Sequence, residues 1–288
     1  MKLNLLLFLL SLLTIACSAP QKKIPEKSVQ LVFQQKDKEI VEQVLAILSD
    51  EVNAPIQVLM VKVGTFFKET LYIAHTLETE EEKLVINLRE MDCTTFAENC
   101  LANSNTIKSK NLSFEKFTNE LQNIRYRNGM LNGYPSRLHY FSDWIFDNQQ
   151  KGLIKDVAKE IINTPYPKQI NFMSTHPESY QQLNDSAQLI KTIEAQEKEI
   201  LLRQLYYIPT SKLAEVENKL MEGDIVGITT DINGIDILHV GILVRKAGRI
   251  HLMHASSVAE KVIVSEKTLE EYLQNRKSAT GIMIARPL

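Results

Sequence analysis

The chain has 288 residues, 44% of them hydrophobic, with 33 Lys and Arg against 35 Asp and Glu, a formal net charge of −2. Charges of both signs are interspersed rather than gathered into a basic stripe, so nucleic acid as a partner has no support. Beyond the N-terminus no apolar run is long enough to cross a bilayer.

The chain opens "MKLNLLLFLLSLLTIACSAP". Lys2 is a minimal charged region, and the apolar run Leu5 to Ile15 has the length of a signal-peptide core. The run ends in "LTIAC", which resembles a bacterial lipobox, where the leader is cut before a cysteine that is then lipidated. Thr14 stands where such boxes usually carry leucine, which leaves a plain secretory cut as the alternative. The expectation is a lipoprotein-type signal peptide over 1–16, a lipid on Cys17, and a membrane-anchored protein exported to the periplasm. Residues 17–28 are polar, with two prolines and no hydrophobic period, and read as a tether. No linker or repeat interrupts 29–288, which is read as a single domain.

The first two-thirds of that stretch has mainly helical periodicity. "IVEQVLAILSD" has apolar residues at helical spacing, as does "FEKFTNELQNI" (Phe114, Phe117, Leu121, Ile124) behind the candidate cap Ser113. Between them, "MDCTTFAENC" reads as a helix start, with Asp92 as N-cap and Phe96, Cys100 and Leu101 as an apolar stripe. Seven helical residues set Cys93 and Cys100 about 10 Å apart along the axis, too far for a disulfide. Cys100 reads as a small buried hydrophobe. Cys93 falls at the first helical position, where free N–H groups and the helix dipole favour a thiolate. A free thiol there, in a chain bound for an oxidising compartment, points to a nucleophile, with another buried cysteine as the plain alternative. Further on, "HYFSDWIFDN" and "LNDSAQLIKTIEAQEKEILLRQL" are helical candidates.

After "MEGD" the period becomes two. "DIVGITT", "LHVGILVR", "RIHLMHAS", "KVIVS" and "GIMIARPL" are five successive strands, with hairpin signals at "DINGID" and "KAG". Helices first and antiparallel strands after make an α+β domain, a helical layer against a small barrel or curled sheet. Of the six histidines, His75 and His176 lie in loop-like contexts and read as ordinary polar residues. His139 sits in the aromatic segment "SRLHYFSDW". His239, His251 and His254 fall on adjacent strands. His251 and His254 are three apart, so in a regular strand they face opposite ways and only one can join His239. The small residues Ala255 and Ser256 favour His254.

"DCTTF", "HVGI" and "HASS", in that order, resemble the NlpC-type papain-like cysteine peptidases and amidases of bacterial cell walls. "TLETEEEKLVINLREMDCTTFAEN", "IRYRNGMLNGYPSRLHYFSDWIFDN", "FMSTHPESY", "EGDIVGITTDINGIDILHVGILV" and "TGIMIARPL" narrow this. From about Lys62 to Leu288 the chain resembles the N-acetylmuramoyl-L-alanine amidase-like family, once catalogued as a domain of unknown function. The resemblance implies a papain-like NlpC-type fold. It also implies hydrolysis of the amide between the lactyl group of muramic acid and L-alanine in peptidoglycan or muropeptides. By position, Cys93 is the nucleophile, His239 the base and His254 the residue that orients it. The chain departs from the family at "ETLYIAH", where a proline is expected before Tyr72, a residue placed among those that bind substrate.

On this reading the Cys93 thiolate attacks the amide, the Cys93 N–H helps hold the oxyanion, and His239 protonates the leaving amine and then activates water. No metal or cofactor is required. Tyr126, Arg137, His139, Tyr140 and Trp144 are further candidates for substrate recognition. Trp144 would stack a sugar and Arg137 would grip a carboxylate, while core packing is the alternative for Tyr140 and Trp144. Rival readings are an endopeptidase cutting the stem after D-glutamate, an acyltransferase, a non-catalytic wall-binding lipoprotein, and a zinc amidase using His139, His239 and His254. The last lacks any H-E-x-x-H spacing.

Overall fold

The computed structural model describes residues 29–288. The expected signal peptide, the lipidation at Cys17 and the tether lie outside the described residues. Among the described residues no helix is long and apolar enough to cross a membrane.

Helices α1 (Gln35–Ile47), α2 (Ile56–Phe66), α3 (Cys93–Lys108), α4 (Phe114–Arg125) and α5 (Phe141–Gln150) come largely before the sheet. The sequence cues for α3 and α4 are local. Asp92 caps α3 by accepting from the Thr95 N–H, and Ser113 caps α4 by accepting from the Lys116 N–H. α2 carries few polar residues and escapes a periodicity search, because it is wedged between α3 and the sheet. At Gly64 an added Cβ would lie 2.3 Å from Met253 Cε, so any larger residue would require the end of that methionine side chain to shift.

Among the described residues the strands, in chain order, are β1 (Leu31–Val32), β2 (Leu71–Tyr72), β3 (Leu84–Val85), β4 (Glu90–Met91), β5 (Ile154–Asp156), β6 (Ile208–Pro209), β7 (Ile225–Thr230), β8 (Ile237–Lys246), β9 (Arg249–Ser256), β10 (Lys261–Thr268) and β11 (Ala279–Pro287). β1 and β3 form a small parallel pair. The main sheet runs β4-β2-β10-β9-β8-β7-β11-β5, with β6 also on β11. The five expected strands are its antiparallel centre. The β8–β9 hairpin turns through Ala247 and Gly248, both at positive φ (50° and 83°), the geometry of a tight two-residue turn.

Two expectations are corrected. The sheet is mixed, because β2 and β4 pair in parallel, and it is open, because its end strands β4 and β5 do not pair with each other. It is not a barrel. Closure needs full-length end strands in register, and here both ends are short pieces of two or three residues. Nor does a single helical layer suffice. One face of the sheet (Val240, Ile242, Met253, Met283) packs on α1–α5. The other (Ile228, Leu243, Leu252, Ile284) packs on short helices that include Leu213, Leu269 and Leu273. Burial on both faces explains why strand β7 is buried at every position, with an apolar start (Ile225, Val226, Ile228) rather than strict alternation.

Candidate active site

Cys93 is the first residue of α3, and the chain on either side of it is pinned. The Thr95 N–H donates to Asp92 Oδ1 at 2.8 Å and the Asp92 N–H donates to Thr95 Oγ1 at 2.9 Å, a reciprocal cap across the first turn. Just upstream, β4 pairs in register with β2, Met91 opposite Tyr72, which brings Tyr72 beside the thiol. Burial and then the charges of Cys93 and Asp92 push the Tyr72 hydroxyl up.

Cys93 is half-buried at a cleft of about 250 Å³. Cys93 and Thr94 of α3 line it together with His239 and Val240 of β8 and an aromatic group, Tyr140, Phe172 and Tyr180. The Val240 N–H and the Thr94 side chain can hydrogen-bond the thiolate, but burial and the neighbouring Asp92 carboxylate outweigh them and push the thiol up to about 11. This reverses the expectation from helix position alone. The first-turn N–H groups and dipole favour a thiolate, yet desolvation and a like charge one residue away win.

His239 and His254 form the second half of the site. The β8–β9 register puts Leu243 opposite Leu252 and Val244 opposite His251. By alternation His239 and His254 share the Leu243–Leu252 face, and His251 lies on the other. His239 Nε2 and His254 Nδ1 are 2.6 Å apart, with the rings at 87° to each other. His251 is spent elsewhere, its Nδ1 bonded to the Ser265 carbonyl at 3.0 Å. Burial, then His254 and Arg276, hold His239 well below 6.5, and burial followed by Arg276 lowers His254 to about 4. Both rings are therefore neutral at pH 7, and one proton is shared across the 2.6 Å contact. His239 Nδ1 makes no hydrogen bond within the described residues.

The six residues read from sequence as substrate contacts separate into two groups. Tyr72 is beside the thiol, and His139 and Tyr140 line the cleft. Tyr140 also donates to Glu197 at 2.7 Å and accepts from the Met173 N–H, so its hydroxyl is already engaged. His139 is bonded to the Tyr134 carbonyl, and burial and then Arg137 lower it to about 3. Tyr126, Arg137 and Trp144 do not line this cleft. Tyr126 donates to Glu82, and Arg137 is clamped between Glu78 (2.8 Å) and Glu82 (2.9 Å), holding down the 73–83 loop. Both terminal nitrogens of Arg137 are engaged by carboxylates and the guanidinium is buried, so it is not presented to a substrate carboxylate. Trp144 is buried and stacked on Phe141 with ring centroids 5.5 Å apart.

Phe172 and Tyr180 also line the cleft, and the segment "FMSTHPESY" carries no local signal that marks them as site residues. They lie in short turns with no periodicity, and only the tertiary fold brings them to Cys93. Among the described residues no group of three or more His, Cys, Asp or Glu is placed to hold a metal ion.

Residues 62–282 match the family described as N-acetylmuramoyl-L-alanine amidase-like. Among solved structures, an N-acetylmuramoyl-L-alanine amidase from Bacteroides uniformis is 36% identical with a TM-score of 0.78, over 81% of this chain and 99% of that one. A Bacteroides fragilis structure named as a candidate xylanase is 38% identical with a TM-score of 0.73, over 78% and 99%. Protein LPG0564 from Legionella pneumophila is 20% identical with a TM-score of 0.68, over 88% and 95%, and shares the fold. No curated protein matches the chain.

Proposed function

Because the chain belongs to the N-acetylmuramoyl-L-alanine amidase-like family, we propose that it is a cysteine-dependent cell-wall amidase of papain-like, NlpC-type descent. Its bond is the amide joining the lactyl group of N-acetylmuramic acid to L-alanine in peptidoglycan or muropeptides. The observation that carries the reading is Cys93 at a helix N-terminus, sharing one cleft with His239, whose far nitrogen is bonded to His254.

The pKa directions shape the mechanism. With the thiol pushed up to about 11 and the imidazoles neutral, the resting pair is uncharged rather than a thiolate–imidazolium ion pair. Attack is then coupled to proton transfer: the Cys93 sulfur bonds the carbonyl carbon as its proton passes to His239 Nδ1. The oxyanion is held by N–H donors at the start of α3. The imidazolium gives the proton to the alanine nitrogen as the C–N bond breaks, leaving a thioester. His239 next takes a proton from water, which attacks the thioester, and the thiol leaves with that proton restored. His254 holds the His239 ring throughout.

The cleft lining contains no Arg or Lys, which suits an uncharged sugar-side acyl group better than an acidic peptide. A glycosidase reading, suggested by the name of the Bacteroides fragilis relative, needs two carboxyl groups across the bond. The cleft offers Asp236 alone, and it already accepts from the Ser142 and Ile237 N–H groups at 2.8 and 2.9 Å.

The test is a defined disaccharide-peptide with product identification by mass spectrometry. Free disaccharide and a stem starting at L-alanine are expected, with Cys93→Ser inactive but folded. A disaccharide that retains L-Ala–D-Glu would make the protein an endopeptidase. Export and anchoring through Cys17 belong to the same proposal: Cys17→Ala should move the protein from the membrane to the soluble periplasmic fraction with its activity intact. A wild-type protein that is wholly soluble with an unmodified N-terminus would end the anchor reading.

A further inference from the structure

The His239–His254 contact has two neutral tautomeric states, and they are not equivalent. In one, His239 Nε2–H donates to His254 Nδ1, so His239 Nδ1 is bare and can take a proton. In the other, His254 Nδ1–H donates to His239 Nε2, so His239 carries its proton at Nδ1 and cannot act as a base. The first state requires a proton on His254 Nε2, and the second requires a lone pair there. Whatever faces Nε2 therefore decides which state is populated.

His254 is 1% exposed, and among the described residues its buried Nε2 has no nitrogen or oxygen partner. The ring packed on it is Tyr272, edge to face, with centroids 5.4 Å apart and planes at 72°. Tyr272 is held firmly. Its helix, Leu269–Gln274, begins with a reciprocal cap between Thr268 and Glu271, and Leu269 and Leu273 are both buried in the second core. The buried Tyr272 hydroxyl also has no partner among the described residues, so it is not donating to Nε2. Arg276 lies over the Tyr272 ring at 4.8 Å and is not hydrogen-bonded to Nε2 either. Apart from His239, the ring in contact with His254 is therefore that of Tyr272, whose π face can receive an N–H from Nε2 and whose hydroxyl does not donate to it.

We propose that Tyr272 is a positioning residue for the His239–His254 pair, its ring holding His254 in the tautomer protonated at Nε2 so that His239 Nδ1 stays free to act as base. The proposal rests on the reading of His239 as the base. It assigns to a residue outside the Cys-His-His set the task of choosing among that set's proton arrangements.

The experiment uses the purified protein labelled with [15N]histidine, its ring tautomers read by two-bond 1H–15N correlation in the absence of substrate. Wild type should show His254 protonated at Nε2. Tyr272→Phe keeps the ring and should match wild type in tautomer and in turnover. Tyr272→Leu removes the ring and should give mixed tautomers. Its kcat should fall about tenfold with KM little changed, a part of the 10²–10⁴-fold that general-base catalysis supplies. His254 protonated at Nδ1 in the wild type overturns the proposal, as does a Tyr272→Leu protein with wild-type tautomer and kcat. A Tyr272→Phe protein as impaired as Tyr272→Leu would also overturn it, because the hydroxyl and not the ring would then be the acting group. The tautomer is measured on the free protein, so it decides this proposal even if the amidase reading fails on activity.

Discussion

Asp92 and Thr95 clasp each other across the first turn of α3, and Cys93 sits between them. The Asp92 carboxylate accepts from both the backbone N–H and the hydroxyl of Thr95. The same carboxylate has two opposing effects. It fixes the helix start that aims the thiol, and its charge raises the thiol's pKa.

The two effects can be separated. Asp92→Asn keeps an acceptor for the Thr95 N–H and removes the charge, so the Cys93 thiol should titrate below its value of about 11. The rate of Cys93 alkylation by iodoacetamide at pH 8 should rise with the thiolate fraction, while Cys100, fully buried, stays unlabelled. Asp92→Ala removes the cap as well and should cost about 1 kcal/mol of stability. An alkylation rate unchanged in Asp92→Asn would mean that burial alone sets the thiol's pKa.

Arg137 separates a substrate contact from a structural clamp. Its guanidinium is buried against Glu78 and Glu82, and Glu82 also accepts from the Tyr126 hydroxyl. Truncation to alanine leaves the buried Glu82 carboxylate without a counter-charge, at a cost of about 3 kcal/mol. The expected result for Arg137→Ala is a lowered urea midpoint and faster proteolysis in the 73–83 loop. A substrate-gripping arginine would give the opposite pattern, a raised KM at unchanged stability.

The contrast between Arg137 and Cys93 marks how far the sequence could be read. Cys93, His239 and His254 were legible because their positions follow from short-range rules: an N-cap, a two-residue hairpin and strand alternation. The five central strands were legible for the same reason. Tyr126, Arg137 and Trp144 also looked like binding residues, since aromatic and cationic side chains serve cores and clefts alike. Only the tertiary surroundings, Glu82 fifty-five residues before Arg137 and the core cluster that closes over Trp144, decide their role. The acid–base character of Cys93 is not readable from helix position, because helix position is local and desolvation is not. Tyr272, an unremarked aromatic in an amphipathic turn, becomes meaningful only beside the unpartnered nitrogen of His254.

His251 and His254 should respond differently to truncation. His254→Ala removes the group bonded to His239 and should lower turnover by orders of magnitude with the fold retained. His251→Ala deletes a buried bond to the Ser265 carbonyl on the other face, so it should cost about 1 kcal/mol of stability and leave turnover near wild type. The readout is kcat for both variants together with their urea midpoints. A dead His251→Ala and an active His254→Ala would reverse the assignment.

Removing the positive charge of Arg276 tests the electrostatics of the pair. Arg276 is a secondary cause, after burial, of the lowered pKa of both His239 and His254. In Arg276→Gln both rings should accept protons more easily, so the acidic limb of the kcat/KM profile moves to higher pH. The same groups link stability to pH. His254 titrates at about 4 and His139 at about 3 in the folded chain, against 6.5 for a free imidazole. Above pH 6.5 both are neutral whether the chain is folded or not, and their full share of stability is present. As pH falls from 6.5 toward 4 and then 3, the unfolded chain binds protons that the folded chain refuses. Stability is therefore lost at up to about 1.4 kcal/mol per pH unit for each such histidine. Urea midpoints at successive pH values from 7 to 4 should drop in wild type. His139→Gln should drop less steeply, because one refusing site is gone, and comparing the two slopes cancels the carboxylates common to both. Equal slopes would mean that His139 is protonated in the folded protein, and the Arg137 guanidinium would then be facing a second cation that burial and charge both disfavour.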